Sequence, residues 1–166
     1  MDILNFLNAV VYVKLSPEKI TVREAHSGYE ISEPPQVAIA RKLKEEVVAF
    51  GNEAATIASV RNIDLVNPFQ HPRALLSDFT VAEVIMKHFV TKAAKANRGG
   101  IFRSAPIVVL HPLIDPEGGF TQIEIRAMHE LAIGAGARKV IVWQGRELGK
   151  EELLRLKFES GGKVLN

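Results

Sequence analysis

Lys14-Leu15-Ser16-Pro17 closes the first strand of a β-β hairpin, "VYVKLSPEKITVRE" from Val11 to Glu24. A turn in that place grips phosphate in several nucleotide-binding folds. A phosphate loop needs backbone N–H groups and glycines that let the backbone approach. This turn has no glycine, and Pro17 has no N–H to donate. Pro17 does suit position i+1 of a type I turn, and Ser16 suits position i. The hairpin is therefore locally specified with or without a ligand.

A two-metal nuclease of the ribonuclease-H type needs carboxylates clustered on its central strands. The first strand carries Lys14 where an acid should stand, and the run Ile107–Leu110 carries none. Asp115 and Glu117 lie in the loop beyond. Glu124 could orient a water for hydrolysis, but it also occupies the third position of a Thr121-Gln122-Ile123-Glu124 capping box, which accounts for it without chemistry. The histidines are His26, His71, His88, His111 and His129, and none forms a paired metal-ligand motif. His88, within a helical pattern beside Phe89, reads as a surface or boundary residue. No nucleophile elbow or Walker loop occurs. Gly118-Gly119 precedes a helix start that could hold an anion, but a flexible turn is the simpler reading.

Around these residues the elements follow from periodicity. Ala9–Lys14 and Ile20–Glu24 are β-branched and alternating, as strands are. A third strand is expected near Val37–Arg41, then a charged tip and a return strand at Val47–Phe50. Residues 52–76 read as a short helix plus irregular chain. Thr80-Val81-Ala82-Glu83 reads as a capping box with Phe79 and Val84 as its staple, opening a helix whose face is Val81, Ile85, Phe89 and Ala93. Gly99-Gly100 should end that helix. "APIVVLHP" and "KVIVW" are continuous apolar runs, the pattern of strands buried on both faces. A second helix should run from Thr121 to about Gly134–Gly136, with Phe120 and Ile125 as staple. A last short one is expected within Lys150–Phe158. A hairpin-rich start followed by α-β-α-β-α predicts one mixed β-sheet with helices on its faces, an α/β layout of the actin-like or ribonuclease-H-like kind. Residues 1–166 read as a single domain.

Composition narrows the function. The 166 residues are 47% hydrophobic and 24% charged, which is globular. A formal net charge of +2 gives no argument for nucleic acid. Arg41-Lys42-Leu43-Lys44 is neutralised by Glu45-Glu46 and reads as a solvated hairpin tip. The absence of cysteine removes disulfide and thiolate chemistry and fits a reducing compartment. No run approaches the roughly 18–20 apolar residues of a membrane span, and a cytoplasmic protein is expected. Met1, Ile3, Leu4, Phe6, Leu7 and Val10 fall at helical spacing, either as a short amphipathic helix or as an end packed on its own domain. Residues 1–10 contain no Lys or Arg, so weak or absent membrane contact is expected.

Four segments, in order, resemble the MreB-type bacterial actins, the rod-shape-determining proteins. "ISEPPQVAIA" is similar to their N-E-P-S-V-V-A-I, and "FGNEA" to V-G-N-E-A. "SDFTVAEVIMKHFV" resembles A-D-F-E-V-T-E-A-M-L-K-Y-F-I. "FTQIEIRAMHELAIGAGARKVIVW" resembles I-T-E-V-E-R-R-A-V-R-E-A-A-L-Q-A-G-A-R-E-V-Y-L. The resemblance implies the first domain of that family, with residues from about 50 to 76 as its small inserted subdomain. It also implies that the second domain, with its own phosphate loop and adenosine pocket, is not represented in this sequence.

In the family, strand one ends in D-L-G-T, whose aspartate works on magnesium and whose Gly-Thr backbone approaches phosphate. The resemblance places Lys14, Leu15, Ser16 and Pro17 there. Lysine cannot ligate Mg²⁺, which requires oxygen. The family's later E-E-P is Gln144-Gly145-Arg146 here, and about five extra residues lie between Pro112 and Thr121. Glu124 matches the family's catalytic-side glutamate. The expectation is a non-catalytic actin-like module without a cofactor or metal. Its partners would be proteins, through self-association or a bacterial actin or cell-shape assembly. The alternative is an ATP-binding fragment of a bacterial actin whose second domain comes from another chain.

Overall fold

Val10–Leu15 (β1) and Ile20–Glu24 (β2) form the expected antiparallel hairpin, with Leu15 opposite Ile20. The Ser16 N–H donates to the Lys19 carbonyl at 2.9 Å, and the Lys19 N–H donates to Ser16 Oγ at 3.1 Å. The computed structural model describes residues 8–72, 74–96, 105–158 and 160–165.

The remaining strands are Glu30–Glu33 (β3), Val37–Ala40 (β4), Glu46–Phe50 (β5), Asp64–Val66 (β6), Ile107–Pro112 (β7), Lys139–Gly145 (β8) and Gly162–Leu165 (β9). The helices are Gly51–Arg61 (α1), Phe79–Lys95 (α2), Gln122–Gly134 (α3) and Lys150–Arg155 (α4). A six-stranded mixed sheet has the order β3-β2-β1-β7-β8-β9. Its centre, β1-β7-β8, is parallel, and its outer strands are antiparallel. The fold is thus the mixed α/β layout read from the sequence.

Alternation along β1 explains the layers. Val11 and Val13 face α2 and α3, where they join Ile85, Phe89, Leu110, Met128 and Leu131 in the larger core. Val10 and Tyr12 face the opposite side, with Ile107, Val109, Trp143, Leu148 and Leu153. Phe158 and Leu156 pack on that second cluster. Both faces of the central strands are covered, which is why β1, β7 and β8 read as unbroken apolar runs.

Three strands escaped the sequence reading: β3, β6 and β9. β3 is polar and takes the outer edge beside β2. The strand at Val37 does not extend this sheet. It centres a separate three-stranded sheet, β5-β4-β6, on which α1 packs through Ala38, Ala49, Ala54 and Ala58. Arg41–Glu45 is its exposed hairpin tip, where Arg41 pairs with Glu45 and Asp64 at 3.3 and 3.0 Å.

The start of α2 is a correction. The helix is capped by Asp78, whose carboxylate accepts from the Val81 N–H at 3.0 Å, so Thr80 is already inside the first turn. Asp competes well for an N-cap because its oxygen reaches the orphan N–H groups at low cost. The Thr121 box is present as expected: Glu124 N donates to Thr121 Oγ1 at 3.2 Å, and Thr121 N donates to Glu124 Oε2 at 2.8 Å. α4 is shorter than expected, ending at Leu156 in the left-handed region. Gly99-Gly100 and the N-terminal apolar stripe of residues 1–7 lie outside the described residues.

Candidate functional site

Lys14 is the last polar residue of β1 before the turn, on the same face as Tyr12. Its ammonium lies 2.7 Å from Glu147 Oε1, in the loop between β8 and α4. Arg23, paired across the hairpin with Tyr12, brings a second cation to 3.9 Å from the same oxygen. Lys14 holds the Glu147 carboxyl below the ordinary glutamate range.

Leu15 is buried and pairs with Pro112 of β7, so its side chain is part of the core. Ser16 and Pro17 are in the turn. The Ser16 N–H is used inside the turn, and the Pro17 carbonyl accepts from Asn67 Nδ2 at 2.8 Å. Lys14, Leu15, Ser16 and Pro17 are therefore contiguous, as expected, but they do not fit magnesium or phosphate. An ammonium stands where the resemblance places an oxygen ligand, and the Ser16 and Lys19 N–H groups close on the turn. No group of three or more His, Asp or Glu suited to a metal occurs among the described residues.

Glu124 is not drawn into this cluster by its hydrogen bonds. Its Oε2 accepts from both the N–H and the hydroxyl of Thr121, at 2.8 and 2.9 Å. That geometry is the cap of α3.

Sequence reasoning missed the buried pair behind Lys14. Tyr12 OH lies 2.6 Å from His111 Nδ1, and His111 Nε2 lies 2.9 Å from the Gly145 carbonyl. A carbonyl only accepts, so Nε2 carries the proton and Nδ1 accepts from the phenol. The phenol oxygen in turn accepts from the Leu148 N–H at 3.2 Å. Burial pushes His111 below the usual histidine range and Tyr12 above the usual phenol range, which favours the neutral pair. Arg23 lies over the Tyr12 ring at 5.4 Å and donates to the Leu148 carbonyl at 2.9 Å. The one sequence signal was His111 itself, a polar residue at the end of an apolar run.

The Gln144-Gly145-Arg146 positions are engaged in the same corner. Gln144 Nε2 donates to Asp115 Oδ1 at 2.8 Å. Gly145 pairs with Gly162 of β9 so closely that a side chain at Gly145 would overlap the Gly161 and Gly162 backbone. Arg146 makes a two-pronged contact with Glu152 of α4, at 2.9 and 2.7 Å, and donates to the Ser160 carbonyl at 3.1 Å. What the corner does is join β1, β7 and β8 to α4 and β9.

The Glu33 and Gly51 segments form a second joint. Gly51 has φ +59°, and any Cβ there would run into the Glu33 carboxylate. With only a hydrogen at that place, Glu33 Oε2 accepts from the Asn52 N–H at 3.0 Å, tying β3 to the start of α1. Nearby, Phe50 stacks on His88 of α2 with ring centres 3.8 Å apart. His88 is a boundary residue, as its place in the helical pattern suggested, and it is held below the ordinary histidine range by burial and then by Lys92.

The model of the MreB/Mbl protein family matches residues 10–147. The cell shape-determining protein MreB of Haemophilus influenzae is 30% identical over 142 residues, covering 82% of this chain and 35% of that protein. The cell shape-determining protein Mbl of Bacillus subtilis is 26% identical over 130 residues, covering 77% and 36%. Among solved structures, MreB5 of Spiroplasma citri bound to ADP superposes with a TM-score of 0.62 at 21% identity, covering 82% of this chain and 38% of that one. A non-polymerising MamK mutant bound to AMPPNP superposes with a TM-score of 0.59 at 15% identity, covering 81% and 40%. The chain thus spans about a third of the length of the curated relatives it matches.

Proposed function

The chain belongs to the MreB/Mbl family, whose matched curated members are cell shape-determining proteins, and from that premise we propose that it is a non-catalytic actin-like module acting through contact with other proteins. The observation that carries this reading is the Lys14–Glu147 ion pair at 2.7 Å. It puts a cation, already partnered, where the family resemblance places the metal-side aspartate. The Tyr12–His111–Gly145 chain and the Arg146–Glu152 clamp support the same reading, because they commit the corner to holding the fold together. The partner class is protein: a second copy, a full-length bacterial actin, or another component of a cell-shape assembly. The module is read as one domain, with residues from about 50 to 76 as its small inserted subdomain.

Isothermal titration of the chain with Mg·ATP tests the proposal. No binding at micromolar nucleotide is expected, and a clear micromolar isotherm would sink it. Sedimentation with a full-length MreB-type actin should show co-migration of the two proteins.

A second reading keeps nucleotide in view. Glu124 stands at the family's catalytic-side position, and the two solved neighbours carry ADP and AMPPNP. On that reading the chain is an ATP-binding piece completed by another chain. Titrating Mg·ATP into an equimolar mixture with the co-sedimenting actin separates the two. Extra nucleotide sites, beyond those of the actin alone, would favour this second reading.

A further inference from the structure

Leu43 stands fully exposed at the tip of the β4–β5 hairpin, between Lys42 and Lys44. A single exposed leucine is ordinary on a protein surface. This one sits on a projecting turn with a cation on each side. Arg41 is taken up by Glu45 and Asp64. Among the described residues, Lys42 and Lys44 are in no ion pair. The tip therefore offers an apolar knob flanked by two ammonium groups.

The far end of the same strand opens on a hollow of about 390 Å³ between the small sheet and α2. Phe50 and His88 form its apolar wall, with ring centres 3.8 Å apart and planes 11° apart. Val48 continues that wall along β5. Two carboxylates line the hollow, Glu33 and Glu53, against one ammonium, Lys92. Glu33 gives an oxygen to the Asn52 N–H, and Glu53 is exposed in the first turn of α1. An apolar wall with an excess of negative charge is complementary to a leucine between two lysines. β5 runs from the tip to the hollow, so one copy cannot fill its own hollow without unfolding the strand. At about 3.4 Å per residue, Leu43 and Val48 are roughly 17 Å apart along the chain.

We propose that the Leu43 tip of one copy seats in the hollow of a second copy, with Leu43 against Phe50 and His88 and the two lysines facing Glu33 and Glu53. Each copy then offers one tip and one hollow, so the contact is head-to-tail and copies add in a row. The two surfaces are small, which makes the association weak and sensitive to salt. This inference rests on the reading of the chain as a protein-contact module and names a second copy as the partner.

Sedimentation equilibrium of the full chain tests it. The mean mass should rise with protein concentration, and the rise should shrink as salt is added. Leu43→Asp should weaken the association at least about tenfold, equivalent to about 1.4 kcal/mol. Lys42→Glu with Lys44→Glu should weaken it as well, and so should Glu53→Lys. Mixing those last two variants should restore association, because the acidic tip of one then meets the altered hollow of the other. Mixtures no better than the single variants would overturn the proposal. So would a parent protein that stays monomeric throughout, or association that Leu43→Asp leaves unchanged. Loss of self-association with co-sedimentation of a full-length MreB-type actin intact would overturn this contact alone and leave the protein-contact reading standing. Binding of the parent to anionic vesicles, lost in Leu43→Asp with no change in self-association, would assign the tip to a lipid surface instead.

Discussion

Lys14 and Glu147 are 133 positions apart in the chain, and their side chains meet at 2.7 Å beside the first hairpin. Glu147 is more than half exposed while Lys14 is mostly covered, so solvent screens the pair from one side. A double-mutant cycle with Lys14→Met and Glu147→Gln should give a coupling of roughly 0.2–1 kcal/mol. Lys14 lowers the folded-state pKa of Glu147, so this stabilisation is present above the unfolded carboxylate pKa and lost as pH falls through the folded value. The coupling should therefore weaken as pH falls below the ordinary glutamate range and vanish once folded-state Glu147 is protonated. A coupling that persists there would mean the pair is not what links β1 to the loop after β8.

Rebuilding the family motif should not create an ATPase. The triple variant Lys14→Asp, Ser16→Gly, Pro17→Thr places a carboxylate beside Glu147 and removes its cation. Lower stability and no measurable phosphate release are expected. Turnover above the buffer rate would contradict the proposed non-catalytic role.

Tyr12→Phe removes one oxygen that serves both His111 Nδ1 and the Leu148 N–H. Leaving buried polar groups without a partner costs about 1–3 kcal/mol. Urea unfolding should show a loss in that range, with the m-value unchanged. A neutral outcome would mean that water replaces the phenol.

The His111 environment also sets a pH dependence. Burial keeps His111 neutral to a lower pH in the folded protein than in the unfolded chain. Below about pH 6.5 the unfolded state therefore binds more protons, and stability falls as pH falls. His88, also lowered by burial, acts in the same direction. His111→Gln should give a shallower decline between about pH 7 and pH 5 than the parent protein. Identical slopes would remove His111 from the account.

The helix caps make a paired prediction. Asp78→Ala should cost about 0.5–2 kcal/mol, and Thr80→Ala much less, because Asp78 holds the Val81 N–H. Glu124→Ala should destabilise α3 by a similar amount through loss of its contacts with Thr121. If Thr80→Ala proved the costlier of the first pair, the assigned start of α2 would be wrong.

What the sequence determined by itself was local. The hairpin was legible because Ser16-Pro17 encodes its own turn between two β-branched runs. The Thr121–Glu124 cap was legible because its partners are three residues apart. The buried central strands were legible because a strand covered on both faces has no polar positions. The lysine that stands where the resemblance places a metal-side acid could be read at Lys14 alone. The same local pattern misled at Thr80, where an equally good cap two residues earlier reached the N–H groups first.

Only the tertiary structure decided what these residues do. Glu147 reaches Lys14, and His111 reaches Tyr12 across 99 positions, because β7 and β8 stack beside β1 in parallel. Gly162-Lys163-Val164-Leu165 has little strand character until the Gly145–Gly162 approach sets it against β8. The Val37 strand left the main sheet because a small sheet closed by alanines could hold it, and strand propensity does not name a partner. Ion pairs, strand partners and buried hydrogen bonds depend on which surfaces the fold brings within a few ångströms, and residue types along the chain do not carry that information.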